Sequence, residues 1–166
     1  ISLPLKSQGI MDGVHLVKGR LFQDTTADEC LVHDKFFEAN QLKLGDRILV
    51  TANGRRQSLK IVGTAQSPEY IYTIRNVQEM VPNPNKFAIV WVQSDWAESQ
   101  LNLKGAINEI IGEVYAPEQL QAILDQAKES LKPYGIFARV KRENHLSHWY
   151  LNSELEGLAV SAKVTP

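Results

Sequence analysis

The sequence predicts an α+β fold, in which a β-rich subdomain, a small barrel or sandwich, is joined to a strand-helix-strand subdomain and followed by a long C-terminal helix. Three observations predict it. Residues 42–72 alternate apolar and polar side chains on either side of Asn53-Gly54, the pair a type I′ hairpin turn requires. Leu120, Ile123, Leu124, Ala127 and Leu131 recur at helical spacing between two β-branched runs. Leu151, Leu155, Leu158 and Ala162 step by four, three and four, a narrow apolar stripe on a helix.

The chain has 166 residues, 43% hydrophobic and 22% charged, a globular balance large enough to bury a core. Its formal net charge of -1 gives no basic excess, so a nucleic-acid partner is not expected. The single cysteine, Cys30, sits in the apolar run Cys30-Leu31-Val32 and reads as a buried thiol. The longest apolar run, residues 87–92, falls far short of the ~20 residues that span a bilayer. The abrupt start at Ile1, without an initiator Met, reads as a piece of a longer protein.

Taken in order, residues 1–5 predict an edge strand, with Pro4 where a missing N–H is tolerated. A loop follows, with an extended segment at residues 14–17. The carboxylates of residues 24–29 lack the ligand spacing and central glycine of a calcium loop and read as a solvated turn. Residues 29–33 form a strand, and Asp34 is positioned to cap a short helix over residues 35–40. Gly45 and Asp46 turn the chain into the hairpin, and Gly63 marks a bulge or a close backbone approach.

After Ser67-Pro68 the segment Glu69-Tyr70-Ile71-Tyr72 reads as extended, which places Tyr70 and Tyr72 on one face. Two tyrosines in that arrangement either stack on a ligand or close the end of a barrel. Pro82 and Pro84 exclude a helix over residues 80–86. Residues 87–92 predict a strand buried on both faces, and Ser94 or Asp95 caps a helix through Trp96 and Leu101.

The texture changes near Gly105. Residues 107–114 predict a strand, Pro117 opens a helix, Pro133 and Gly135 stop it, and residues 136–140 are the return strand. The domain boundaries expected are therefore 1–105, 106–142 and 143–166. His145 and His148 lie three apart but lack further ligands, so no metal and no cofactor is expected. Candidate interaction residues are Pro68, Glu69, Tyr70 and Tyr72 after the hairpin, and Trp149, Leu151, Leu155 and Leu158 on the last helix. No nucleophile, base and orienter converge in the sequence, so no catalytic residue is assigned.

In combination, VKGRLF, ECLVHDKFFEANQLKLGDRILV, ANGRRQSLKIVG, SPEYIY, KFAIVWV, GAINEI and SHWYLNSELEGL resemble the extracytoplasmic domain of a MacB/FtsX-like ABC-transporter permease. The resemblance implies a domain between two membrane helices, outside the cytoplasmic membrane. Residues 1–104 would be its inserted β-rich subdomain, and residues 106–142 part of the shared α/β subdomain, whose first βαβ portion is absent. The last helix would lead toward a membrane span. The implied function is non-catalytic: engaging cargo or a partner protein and coupling ATP-driven motion to export or mechanotransmission. The implied partners are a cytoplasmic ABC ATPase subunit, a second permease copy and a periplasmic adaptor or lipoprotein. LKLGDRILV followed by a glycine hairpin also resembles cofactor-binding β-barrels such as those of molybdopterin enzymes, which leaves a small-molecule-binding accessory domain as the alternative.

Overall fold

A computed structural model describes residues 1–4, 13–23, 28–75, 81–107, 109–135 and 138–164. The polar loop at residues 24–27 and the start of the expected return strand, Ile136 and Phe137, lie outside them. The chain forms two compact units, Ile1–Asn108 and Glu109–Pro166.

The first unit is a mixed six-stranded sheet. Its strands are β1 (Ser2–Leu3), β2 (His15–Gly19), β3 (Glu29–His33), β4 (Arg47–Ala52), β5 (Arg55–Gln66) and β6 (Val90–Gln93). The order is β1-β6-β3-β5-β2, with β4 also pairing with β5. β5 is long enough to serve three neighbours: antiparallel β4 along its first half, antiparallel β2 along its second, and parallel β3 from Lys60 to Ala65. The sheet is open, so the expected barrel does not form. Among the described residues the short strands β1 and β2 stand at the two ends of the order without pairing to each other.

The hairpin turn is as the sequence predicts, with Asn53 and Gly54 both at positive φ, 48° and 74°. Gly63 is a point of close backbone approach. A Cβ there would lie 2.7 Å from the Arg20 carbonyl oxygen and 2.9 Å from that of Lys18, and Leu31 pairs with Gly63 only after a register shift that skips Val62. Alternation sets Ile61 and Val62 on opposite faces, and the extra residue reverses it beyond Gly63, so that Ala65 falls on the face of Val62. Leu59 and Ile61 join Cys30, Val32, Phe37, Val92 and Trp96 on one face. Val62 and Ala65 join Leu3, Phe22, Leu31, Ile89 and Trp91 on the other.

Burial on both faces is what the apolar run before Gln93 predicts, and β6 shows it: Val92 faces the first core and Trp91 the second. The strand itself is shorter than the run, beginning at Val90.

Two short helices follow strands in this unit, α1 (Asp34–Ala39) and α2 (Ser94–Leu101). Their caps lie one or two residues earlier than the sequence predicts. His33, still extended at φ -60° and ψ 134°, caps α1 through its ring, while Asp34 occupies the first turn beside the positive end of the helix. Gln93 rather than Ser94 or Asp95 caps α2, accepting the Trp96 backbone N–H at 3.0 Å.

The second unit contains α3 (Leu120–Leu131), entered through a 3-10 turn at Pro117–Gln119 and left through another at Lys132–Tyr134. It also contains α4 (Leu146–Val164). The strands expected at residues 107–114 and 138–140 are not formed among the described residues. A strand exists only where a partner takes its N–H and C=O groups, and neither segment has one there, although Ile107, Ile110, Ile111 and Val140 keep the β-branched pattern and stand exposed. Leu120, Leu124, Ala127 and Leu131 are correspondingly only half-buried.

Candidate functional site

A buried polar cluster of the first unit lies where the parallel strands β3 and β5 both end, with His33 paired to Ala65. His33, Asp34 and Ser67 are buried there, and Gln66 donates to Asp34 Oδ2 at 2.8 Å. Strand ends of this kind are favoured ligand positions in α/β sheets because helices begin there and polar groups converge. His33, Asp34 and Gln66 are not functional candidates on sequence grounds, while Ser67 opens the stretch after the hairpin that is; for the others the adjacent pair His33-Asp34 at a strand-to-helix junction was the available signal.

The hydrogen bonds decide what this cluster can do. His33 Nδ1 accepts the Lys35 backbone N–H at 3.3 Å, and the ring also bonds the backbone of Tyr70. His33 stacks on Trp91 with ring centroids 6.3 Å apart. Desolvation by burial lowers its pKa below the ordinary histidine value, with Asp34 opposing and Lys35 reinforcing that shift. Burial therefore favours the neutral imidazole, and Nδ1 is committed to the Lys35 backbone. The ring ties the α1 start to the 3-10 turn at Pro68–Tyr70. Asp34 Oδ1 lies 3.1 Å from Nδ1, yet it is buried with no hydrogen-bond partner, because that nitrogen already uses its lone pair on Lys35.

The segment chosen from sequence is differently shaped. Pro68–Tyr70 is a 3-10 turn capped by Ser67, whose hydroxyl accepts from Glu69 N–H at 3.3 Å, and Ile71 remains helical. Tyr70 and Tyr72 consequently do not form the extended aromatic ledge that the alternation predicts. Proline at the first position favours the turn, and Tyr70 is drawn inward to meet Trp91 edge-on at 6.4 Å. Pro68 is exposed; Glu69, Tyr70 and Tyr72 are half-buried.

In the second unit the four remaining candidates all lie on α4. Trp149 is 56% exposed and packs edge-on against Tyr150 at 4.9 Å. Leu151, Leu155 and Leu158 are 36%, 55% and 66% exposed, so the leucine stripe grows more open along the helix.

Two further groups have structural roles or none. Burial pushes the Cys30 thiol up to about 12, which keeps it protonated and unreactive. Among the described residues, a shallow depression of about 390 Å³ is lined by Arg75, Val81, Asn83, Lys86 and Phe87, none of them a carboxylate or a nucleophile. Among the described residues no three His, Cys, Asp or Glu side chains gather at metal-binding distance, and no helix is long and apolar enough to cross a membrane. No protein-family model, curated protein or solved structure matches this chain.

Proposed function

We propose that the chain is a non-catalytic extracytoplasmic domain of a MacB/FtsX-like ABC-transporter permease, which engages cargo or a partner protein and passes ATP-driven motion through its last helix. The resemblance set out above supports this reading, and the observation that carries it is the leucine face of α4. A helix from Leu146 to Val164 is about 28 Å long at 1.5 Å per residue. Leu155 and Leu158 stand more than half exposed along it. Such a face is costly in water and natural against a second helix, and a helix transmits displacement that a loop would dissipate.

In this reading the domain belongs to a cell-membrane protein whose spans lie in flanking sequence. Its partners are a cytoplasmic ABC ATPase, a second permease copy, and a periplasmic adaptor or lipoprotein. The first test is the complete gene: apolar spans of ~20 residues on both sides are expected, and their absence sinks the proposal. The second is functional. Replacing Leu155 and Leu158 by Ala in the intact transporter is expected to separate ATP hydrolysis from output.

A further inference from the structure

We infer that the hairpin edge β4 is a docking site for an acidic, extended peptide segment of another protein, which adds to the sheet as a strand. Within the described residues β4 pairs only with β5, so its second edge offers backbone N–H and C=O groups to a further strand. The face beside that edge is unusual for this chain.

Register places Arg47 opposite Lys60, Leu49 opposite Ser58, and Thr51 opposite Arg56. These six side chains share one side of the ribbon, since alternate residues point to the same face. Three are cations and none is acidic, in a chain whose net charge is -1. Leu49 lies between the charged positions and is 73% exposed.

The carboxylates adjacent to this face in chain or register are otherwise engaged. Asp46 accepts the Lys43 backbone N–H at 2.8 Å, and Glu29 is held by both terminal nitrogens of Arg20. The inner face of the same hairpin, with Ile48, Val50 and Leu59, is committed to the core.

Charge separates the possible occupants. A second copy pairing β4 against β4 would set two identical cationic faces side by side, where like charges repel. An anionic bilayer would satisfy the cations but leave the backbone edge unpaired. Arg47, moreover, does not guard that edge as edge cations commonly do: its guanidinium turns inward onto Ser58 Oγ and the Ser58 carbonyl, each at 2.8 Å. An acidic strand answers all three features, with carboxylates on the face it shares with Arg47, drawn also by Lys60 and Arg56 one strand further in, and an apolar side chain against Leu49. Nothing in this arrangement depends on the permease reading.

The test uses the whole chain and two synthetic nine-residue peptides, one alternating Glu with Val and one alternating Lys with Val, together with vesicles of phosphatidylglycerol and phosphatidylcholine. The acidic peptide is expected to protect amides of residues 47–52 from hydrogen exchange. It should bind about tenfold more tightly than the basic one at low salt, the advantage shrinking as salt rises. Arg56→Glu with Lys60→Glu, both exposed side chains, should abolish that preference while leaving the thermal midpoint near wild type. Equal binding of the two peptides, unchanged binding by the double variant, protection elsewhere than β4, or sedimentation with vesicles without peptide binding overturns the inference.

Discussion

Lowering the pH should destabilise the first unit through His33, by an amount that follows from one proton. The ring is 6% exposed, accepts the Lys35 N–H, and is held neutral by burial, so its folded pKa lies below the unfolded value of about 6.5. The unfolded chain therefore binds a proton first as pH falls. Stability from this site is fully present above about pH 6.5 and is lost as pH drops from there toward the folded pKa, with a limiting slope of about 1.4 kcal/mol per pH unit.

Protonation turns Nδ1 from an acceptor into a donor. It gives up the Lys35 cap and gains the unpartnered Asp34 Oδ1, only 3.1 Å away, so part of the cost is returned. The assay is urea unfolding at half-unit steps from pH 7.5 to 5.0, for the wild type and His33→Gln. The variant should start about 1 kcal/mol less stable, for the lost cap, and show a shallower pH slope. Parallel curves across that range would refute the reasoning, since the titrating group would then lie elsewhere.

Other expectations are read more simply. Leu59→Ala removes a fully buried side chain from the first core and should cost about 2–5 kcal/mol in urea unfolding. Gly63→Ala, which drives a Cβ into the carbonyls of Arg20 and Lys18, should cost about 1–3 kcal/mol. Gly54→Ala meets no atom within 4 Å and strains only its positive φ, so it should cost about 1–2 kcal/mol, below Gly63→Ala if the close approach dominates. Leu155→Ala with Leu158→Ala should shift stability by less than about 0.5 kcal/mol each, because both side chains are exposed; if the chain is the permease domain proposed above, the pair should also uncouple ATP hydrolysis from output. Arg139, 2.8 Å from Asp125, holds that carboxyl below its usual range; Arg139→Ala should raise the Asp125 pKa in an NMR titration.

Features set by neighbouring residues are legible in the chain itself. Asn53-Gly54 determines the hairpin because few residue pairs accept two positive φ angles, and Pro117 and Gly135 bracket α3 for similarly local reasons. The apolar run Cys30-Leu31-Val32 is the centre of strand β3. The two-sided burial of the segment around Trp91 followed from its lack of polar alternation.

Pairing decided the rest. Residues 107–114 carry a strand pattern as plain as that of β3, yet among the described residues only β3 has neighbours, β5 and β6, to complete its hydrogen bonds. Closure of the sheet is likewise a property of which strands meet, and an alternating pattern is the same in a barrel and in an open sheet. The tyrosine ledge failed because Trp91, distant in sequence, offered Tyr70 a buried edge. His33-Asp34 became a polar core only when Tyr70 and Gln66 closed over it. Dihedral preference is written residue by residue, so sequence alone determined the hairpin turn and the bracketing of α3; partnership is written across long separations, and only the tertiary structure supplied it.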